Sequence, residues 1–275
     1  MQRPIRIWKM LLDPKSRAIM VGVSSNRRML REHIRELYFL KSDGTLASVR
    51  VTNRHLTKLA TLGILQRMRR RVSSGSGQYI YKLGPMGTKQ MRQDFAVYAN
   101  KTATSTDEAL EIMEFYIALI KQLETINSVK IHSWLGEKQC KFKFIYSGKR
   151  VKLNQDAFCF WICNQLFGAF FLEWERGFHT MIDLADKLDR YDHYYETQAF
   201  LDQIGQIGII PRLAFVFPTI SEQRHFGQFV MRQQIQGRWQ SLPTVLVGVK
   251  EQVVERPLAN IWLKPGQSDP GLLCA

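Results

Sequence analysis

Residues 52–72, TNRHLTKLATLGILQRMRRRV, carry the reading from which the fold of the front of the chain follows. Thr52 is a residue type whose hydroxyl caps helices. From Asn53 toward Leu62, Leu56, Leu59 and Ala60 share one face, while Arg54, Thr57, Lys58 and Thr61 lie on the opposite one. Gly63 supplies the left-handed residue that follows a helix end. Ile64 to Val72 and Gln78 to Leu83 then read as two strands around Ser73-Ser74-Gly75-Ser76-Gly77, a flexible connection suited to a hairpin.

Upstream, Asn26 to Phe39 places Leu30, Ile34 and Leu37 at helical spacing, with Arg28, Arg31 and Arg35 on another face. After Asp43-Gly44, the TLASV segment at 45–49 is expected to form a short helix of its own. Helix, short helix, capped helix and basic hairpin make a winged helix-turn-helix over 26–93, preceded by an N-terminal arm at 1–25. A helix fits the major groove of B-DNA, where base edges are distinguishable, and a flexible basic hairpin reaches the flanking backbone. Asn53, Arg54 and Lys58 are therefore the expected base or phosphate contacts, with Thr57 and Thr61 on the same face, and Arg67, Arg69, Arg70 and Arg71 the expected wing contacts.

Charge supports this division. The 275 residues hold 39 Lys and Arg against 24 Asp and Glu, a formal net charge of +15. Residues 1–93 hold 20 cations against 4 acids, and residues 94–275 hold 19 against 20, so the basic excess belongs to the first third. A basic segment joined to a neutral one reads as a nucleic-acid module attached to a second domain. No apolar run approaches the ~18 residues of a membrane span, and Arg3, Arg6 and Lys9 interrupt the first residues where a signal peptide would be apolar. A cytoplasmic protein, associated with nucleoid or plasmid, is expected. Cys140, Cys159, Cys163 and Cys274 form no CxxC pair, which favours buried thiols over a zinc site or disulfide. Gly84-Pro85-Met86-Gly87-Thr88-Lys89 lacks Walker spacing and is expected to open a helix after the wing.

Beyond a linker at 94–106, a wide apolar arc from Asp107 to Ile126 predicts a core helix. Strands are expected at Val129–Trp134, Lys141–Tyr146, Ala157–Cys163, Gly168–Trp174, Leu213–Phe217 and Thr244–Gly248, with helices at Thr180–Tyr195 and Ser221–Ile235. That order predicts an α/β sandwich with a mixed sheet over 107–265, followed by a loose tail at 266–275. If 164–167 is a hairpin loop, Asp156 faces Glu175 and Phe158 faces Glu173, so Asp156, Glu173 and Glu175 converge on one side. Such a group binds a divalent cation, raises a pKa, or sits at a wet sheet end.

NRHLTKLATLGILQRM, YIYKLGPMGTK, QDAFCFW, FFLEWERGFHT and DKLDRY together resemble the bacterial replication-relaxation family, found largely on plasmids and other mobile elements. The resemblance runs roughly from Asn26 to Gly248 and implies a winged helix before a restriction-endonuclease-like α/β domain of the PD-(D/E)xK type. It matches the family's proline-aspartate to Gln155-Asp156, its acidic-x-acidic signature to Glu173-Trp174-Glu175, and its lysine-x-x-x-tyrosine to Lys187 and Tyr191. In an active nuclease of that fold Asp156 and Glu173 would hold Mg²⁺ and a lysine would stand where this chain has Glu175, leaving Lys187 as a substitute from the next helix. The leading expectation is a sequence-specific double-stranded DNA-binding protein acting in replication initiation, relaxation or transfer, its rear domain serving assembly. A Mg²⁺-dependent nuclease or nickase and a dimeric transcriptional repressor are the alternatives. DNA binding requires no cofactor on this reading. A homodimer and replication or conjugation proteins are the candidate partners besides DNA, with no membrane.

Overall fold

Contacts divide the chain into two compact units, Met1–Ile117 and Ala118–Ala275. The computed structural model describes residues 12–70, 78–95, 106–126, 129–163, 166–177, 180–204, 209–267 and 273.

The first unit begins with helix α1, Pro14–Ser25. Asp13 caps it by accepting the Ser16 N–H at 2.8 Å, and Pro14 opens its first turn. Ile19, Met20 and Val23 are buried in the first core, and the Ser16 hydroxyl meets His55 Nε2 at 2.9 Å. The expected arm at 1–25 thus contains a core helix, because its apolar residues repeat at three- and four-residue spacing. Strand β1 (Met29–Leu30) and helix α2 (Arg31–Tyr38) take the place of one helix from Asn26 to Phe39. Met29 and Leu30 pair with Tyr81 and Ile80 of strand β3 (Tyr79–Leu83), and burial of both on that sheet overrides their helical spacing.

The TLAS segment at 45–48 does not form a helix of its own. Leu40 bridges Leu46, and Ser48 caps helix α3 (Val49–Thr61), one turn earlier than expected. Thr52 lies inside the helix and is fully buried. At the other end the Gly63 and Ile64 N–H groups donate to Ala60 and Leu59 carbonyls, both at 3.0 Å, and Gly63 has φ +67°, the αL residue that stops a helix. Strand β2 (Leu65–Arg69) pairs with β3 in the order β1-β3-β2, and helix α4 (Pro85–Phe95) follows. Residues 71–77, including Arg71 and the expected hairpin loop, lie outside the described residues. Met113 and Ile117 of helix α5 (Thr106–Glu124) belong to the first core. The division between the units falls inside α5, and residues 96–105 of the expected linker lie outside the described residues.

The second unit is mixed α+β. Strands β4 (Val129–Gly136), β5 (Lys141–Tyr146), β6 (Lys149–Asn154), β7 (Ala157–Cys163) and β8 (Leu166–Trp174) precede helices α6 (Met181–Glu196) and α7 (Ala199–Ile204). Strand β9 (Arg212–Phe217), helix α8 (Ile220–Ile235), strand β10 (Val245–Val249) and helix α9 (Lys250–Glu255) complete it. Five strands form one mixed sheet, β10-β9-β8-β7-β4, antiparallel from β4 to β8 and parallel from β8 to β10. β5 and β6 form a separate ribbon, and β6 is absent from the sequence expectation because KRVKLN holds only two apolar residues. In β7 and β8, Ala157 faces Leu172 and Cys163 faces Leu166, two positions from the expected register. An even slip exchanges partners without exchanging faces, so the carboxylates stay on one side. Within the expected tail, Leu273 is buried.

Candidate functional site

Two groups of the expected site residues are built in different ways. On α3, Thr52, Leu56 and Leu59 are buried in the first core, which turns Asn53, Arg54, Thr57, Lys58 and Thr61 outward, all five exposed. The burial alternates with the helical period, so the outward face follows directly from the inward one. The face begins in a helix N-terminus capped by Ser48 and is flanked there by exposed Val49, Arg50 and Val51.

The hairpin carries Arg67 and Arg69 two residues apart on one face of β2. Arg69 faces Tyr79 across the ladder, and the Arg67 and Arg69 guanidinium carbons lie 4.4 and 5.6 Å from the Tyr79 ring centroid. Both guanidiniums are thereby held at the surface on an aromatic platform. A hydrogen bond from Arg69, with the charges of both arginines, lowers the Tyr79 pKa. Arg70 points elsewhere and donates to Asp107 at 3.1 Å, so it is engaged within the unit. Tyr79 is the member of this group that sequence reading missed, and the signal was available: a tyrosine opposite an arginine in a basic hairpin. Next to β2, an open cleft of about 510 Å³ is lined by Gln66, Thr88, Lys89 and Arg92.

The second group lies in the other unit. Glu173 and Glu175 leave β8 on one face, only 2% and 3% exposed. Lys187 of α6 donates to Glu173 Oε2 at 2.9 Å and to Glu175 Oε1 at 2.5 Å, and the Tyr191 hydroxyl donates to Glu173 Oε1. Thr180 caps α6 in a reciprocal capping box with Asp183, which fixes the helix that presents Lys187 and Tyr191 one turn apart. Asp156 joins from the start of β7: its N–H donates to Leu172 O at 3.1 Å and its Oδ2 accepts the Trp174 N–H at 2.6 Å.

Burial pushes the Glu173 carboxyl up, against the pull of Lys187. For Lys187 burial opposes the charge, but Glu173 and Glu175 outweigh it and hold the ammonium well above its ordinary range. Burial, with the nearby Glu173 charge, keeps the Tyr191 hydroxyl protonated. The ammonium is thus charged between two carboxylates. Among the described residues no three His, Cys, Asp or Glu side chains are arranged to hold a metal ion. Gln155 is fully buried and neither atom of its side-chain amide has a hydrogen-bond partner.

Among the described residues no helix is long and apolar enough to cross a membrane. The sequence model of the replication-relaxation family matches residues 23–210. No curated protein matches the chain. Among solved structures, restriction endonuclease FokI is similar at a TM-score of 0.25 and 10% identity, over 90% of this chain and 45% of FokI, so the chain spans less than half of that protein's length.

Proposed function

The chain belongs to the replication-relaxation family, and from that premise we propose that it is a sequence-specific double-stranded DNA-binding protein acting in replication or relaxation of a plasmid or other mobile element. The observation that carries the reading is the α3 face: five polar or basic residues, Asn53, Arg54, Thr57, Lys58 and Thr61, all exposed and backed by a buried apolar face. In the proposed winged helix, α3 enters the major groove while Arg67 and Arg69 on the Tyr79 platform meet the flanking phosphates. Arg70 contributes less than they do, because Asp107 already pairs with it. The second unit would serve assembly, with replication or conjugation proteins or a second copy.

Arg54→Ala tests this. It is expected to reduce the preference for the cognate duplex over a scrambled one by about 1–3 kcal/mol in competition binding, with the thermal midpoint unchanged. Equal weakening on both duplexes would remove the base-reading role.

The second reading, a Mg²⁺-dependent nuclease using Asp156, Glu173, Glu175 and Lys187, is supported by the shared face of the three carboxylates. It is opposed by Lys187, whose ammonium already bridges Glu173 and Glu175. The residues as arranged do not fit Mg²⁺, and the group reads better as an internal ion bridge that ties α6 to the sheet. Nicking of supercoiled plasmid in Mg²⁺ or Mn²⁺ that disappears in Asp156→Ala would reverse that judgement.

A further inference from the structure

The near-neutral sum over residues 94–275 conceals a concentration of one sign. Residues 141–154, KFKFIYSGKRVKLN, hold five cations and no acid. They form the β5–β6 ribbon, turned by Ser147 and Gly148, both at positive φ, as a two-residue hairpin requires.

The register sorts the ribbon into two faces. Phe142, Phe144 and Leu153 are buried, with Phe142 and Phe144 against Tyr194 of α6, and Tyr146 stacks on His193 with ring centroids 3.7 Å apart. The opposite face pairs Lys141 with Asn154, Lys143 with Lys152, and Ile145 with Arg150. Lys143, Arg150 and Lys152 are exposed, and Ile145 is 61% exposed between them. Lys143 directly opposite Lys152 works against pairing, since like charges across a ladder repel. The aromatic face anchors the ribbon against α6.

We propose that the outward face of the β5–β6 ribbon is a second nucleic-acid contact, gripping the phosphate backbone of duplex DNA through Lys143, Arg150 and Lys152. The inference rests on the DNA-binding reading above and adds to it a surface in the other unit. Residues on one face of a strand recur every ~6.6 Å, close to twice the ~3.4 Å axial spacing of phosphates along one strand, and a two-stranded ribbon is narrow enough for the major groove. The contact carries no sequence preference, because cations on phosphates position without reading bases.

The test is binding of the full chain to cognate and scrambled duplexes between about 50 and 200 mM salt. Lys143→Gln, Arg150→Gln and Lys152→Gln combined are expected to weaken both duplexes at least about tenfold at the low-salt end. The slope of log affinity against log salt should fall by about 0.9 for each phosphate no longer neutralised, with the thermal midpoint unchanged or raised. A charge-matched control, Arg190→Gln, Arg224→Gln and Arg232→Gln, all exposed, should leave the slope in place. An unchanged slope in the ribbon variant, or an equal fall in the control, overturns the proposal. Arg54→Ala with Lys58→Ala separates the two surfaces: weaker binding there with an unaffected ribbon variant sinks the ribbon alone, whereas weaker binding only in the ribbon variant sinks the α3 reading and keeps the ribbon.

Discussion

Arg54 and Lys58 stand in solvent on the outward face of α3, while Lys187, of the same sign, is enclosed between Glu173 and Glu175 in the second unit. The first two are exposed, so their charge is available to a partner. Lys187 is committed to its neighbours, because two buried carboxylates without a cation would each bear most of their desolvation penalty. Desolvation, and not residue type, separates charge that binds from charge that holds the protein together.

The comparison breaks most sharply at Lys187. Lys187→Met is expected to destabilise the second unit by about 3–5 kcal/mol in denaturant unfolding, since it leaves Glu173 and Glu175 buried and uncompensated. Adding Glu173→Gln and Glu175→Gln should restore much of that stability. If it restores none, the lysine acts through packing rather than charge.

A smaller effect is expected from acid in the first unit. His33 is buried there, its Nδ1 placed to accept the Leu30 N–H at 3.4 Å, and burial pushes its pKa down to about 4. The unfolded chain takes up a proton near pH 6.5 that the folded chain refuses. Stability is therefore fully present above pH 6.5 and falls as pH drops toward 4, by about 1.4 kcal/mol per pH unit, or about 2 kcal/mol by pH 5. His33→Gln should flatten that part of the stability profile, and an unchanged profile would assign the acid sensitivity to other groups.

The smallest change is expected at the hairpin. Arg67→Ala should shift stability by less than about 0.5 kcal/mol and lower the salt slope of DNA binding by about one, equally on every sequence. A sequence-dependent effect would move Arg67 from backbone contact to base reading.

Much of the architecture was legible because periodicity reports burial. The strands at Lys141–Tyr146 and Ala157–Cys163 fall at the expected residues, and α6 and α8 begin within one residue of their expected starts. The α3 face was legible for the same reason. What failed were places where a longer-range contact outweighed a local pattern: Met29 and Leu30 drawn into β1, the 45–48 stretch left extended by the Leu40–Leu46 bridge, and α1 hidden in a segment read as an arm. The ribbon was overlooked because a charge sum over 182 residues cancels a local excess of five cations.

The sequence alone determined which residues would share a face, since that depends only on the 3.6- and 2-residue periods of the backbone, and an even slip in the β7–β8 register left the carboxylate face intact. Only the tertiary structure decided what those faces meet. Lys187 lies 12 and 14 residues from its two partners, and Lys143 and Lys152 lie nine apart, so it is the packing of α6 and the turn at Ser147-Gly148 that bring them together. Charges act through distance and dielectric, and neither is written in the order of the residues.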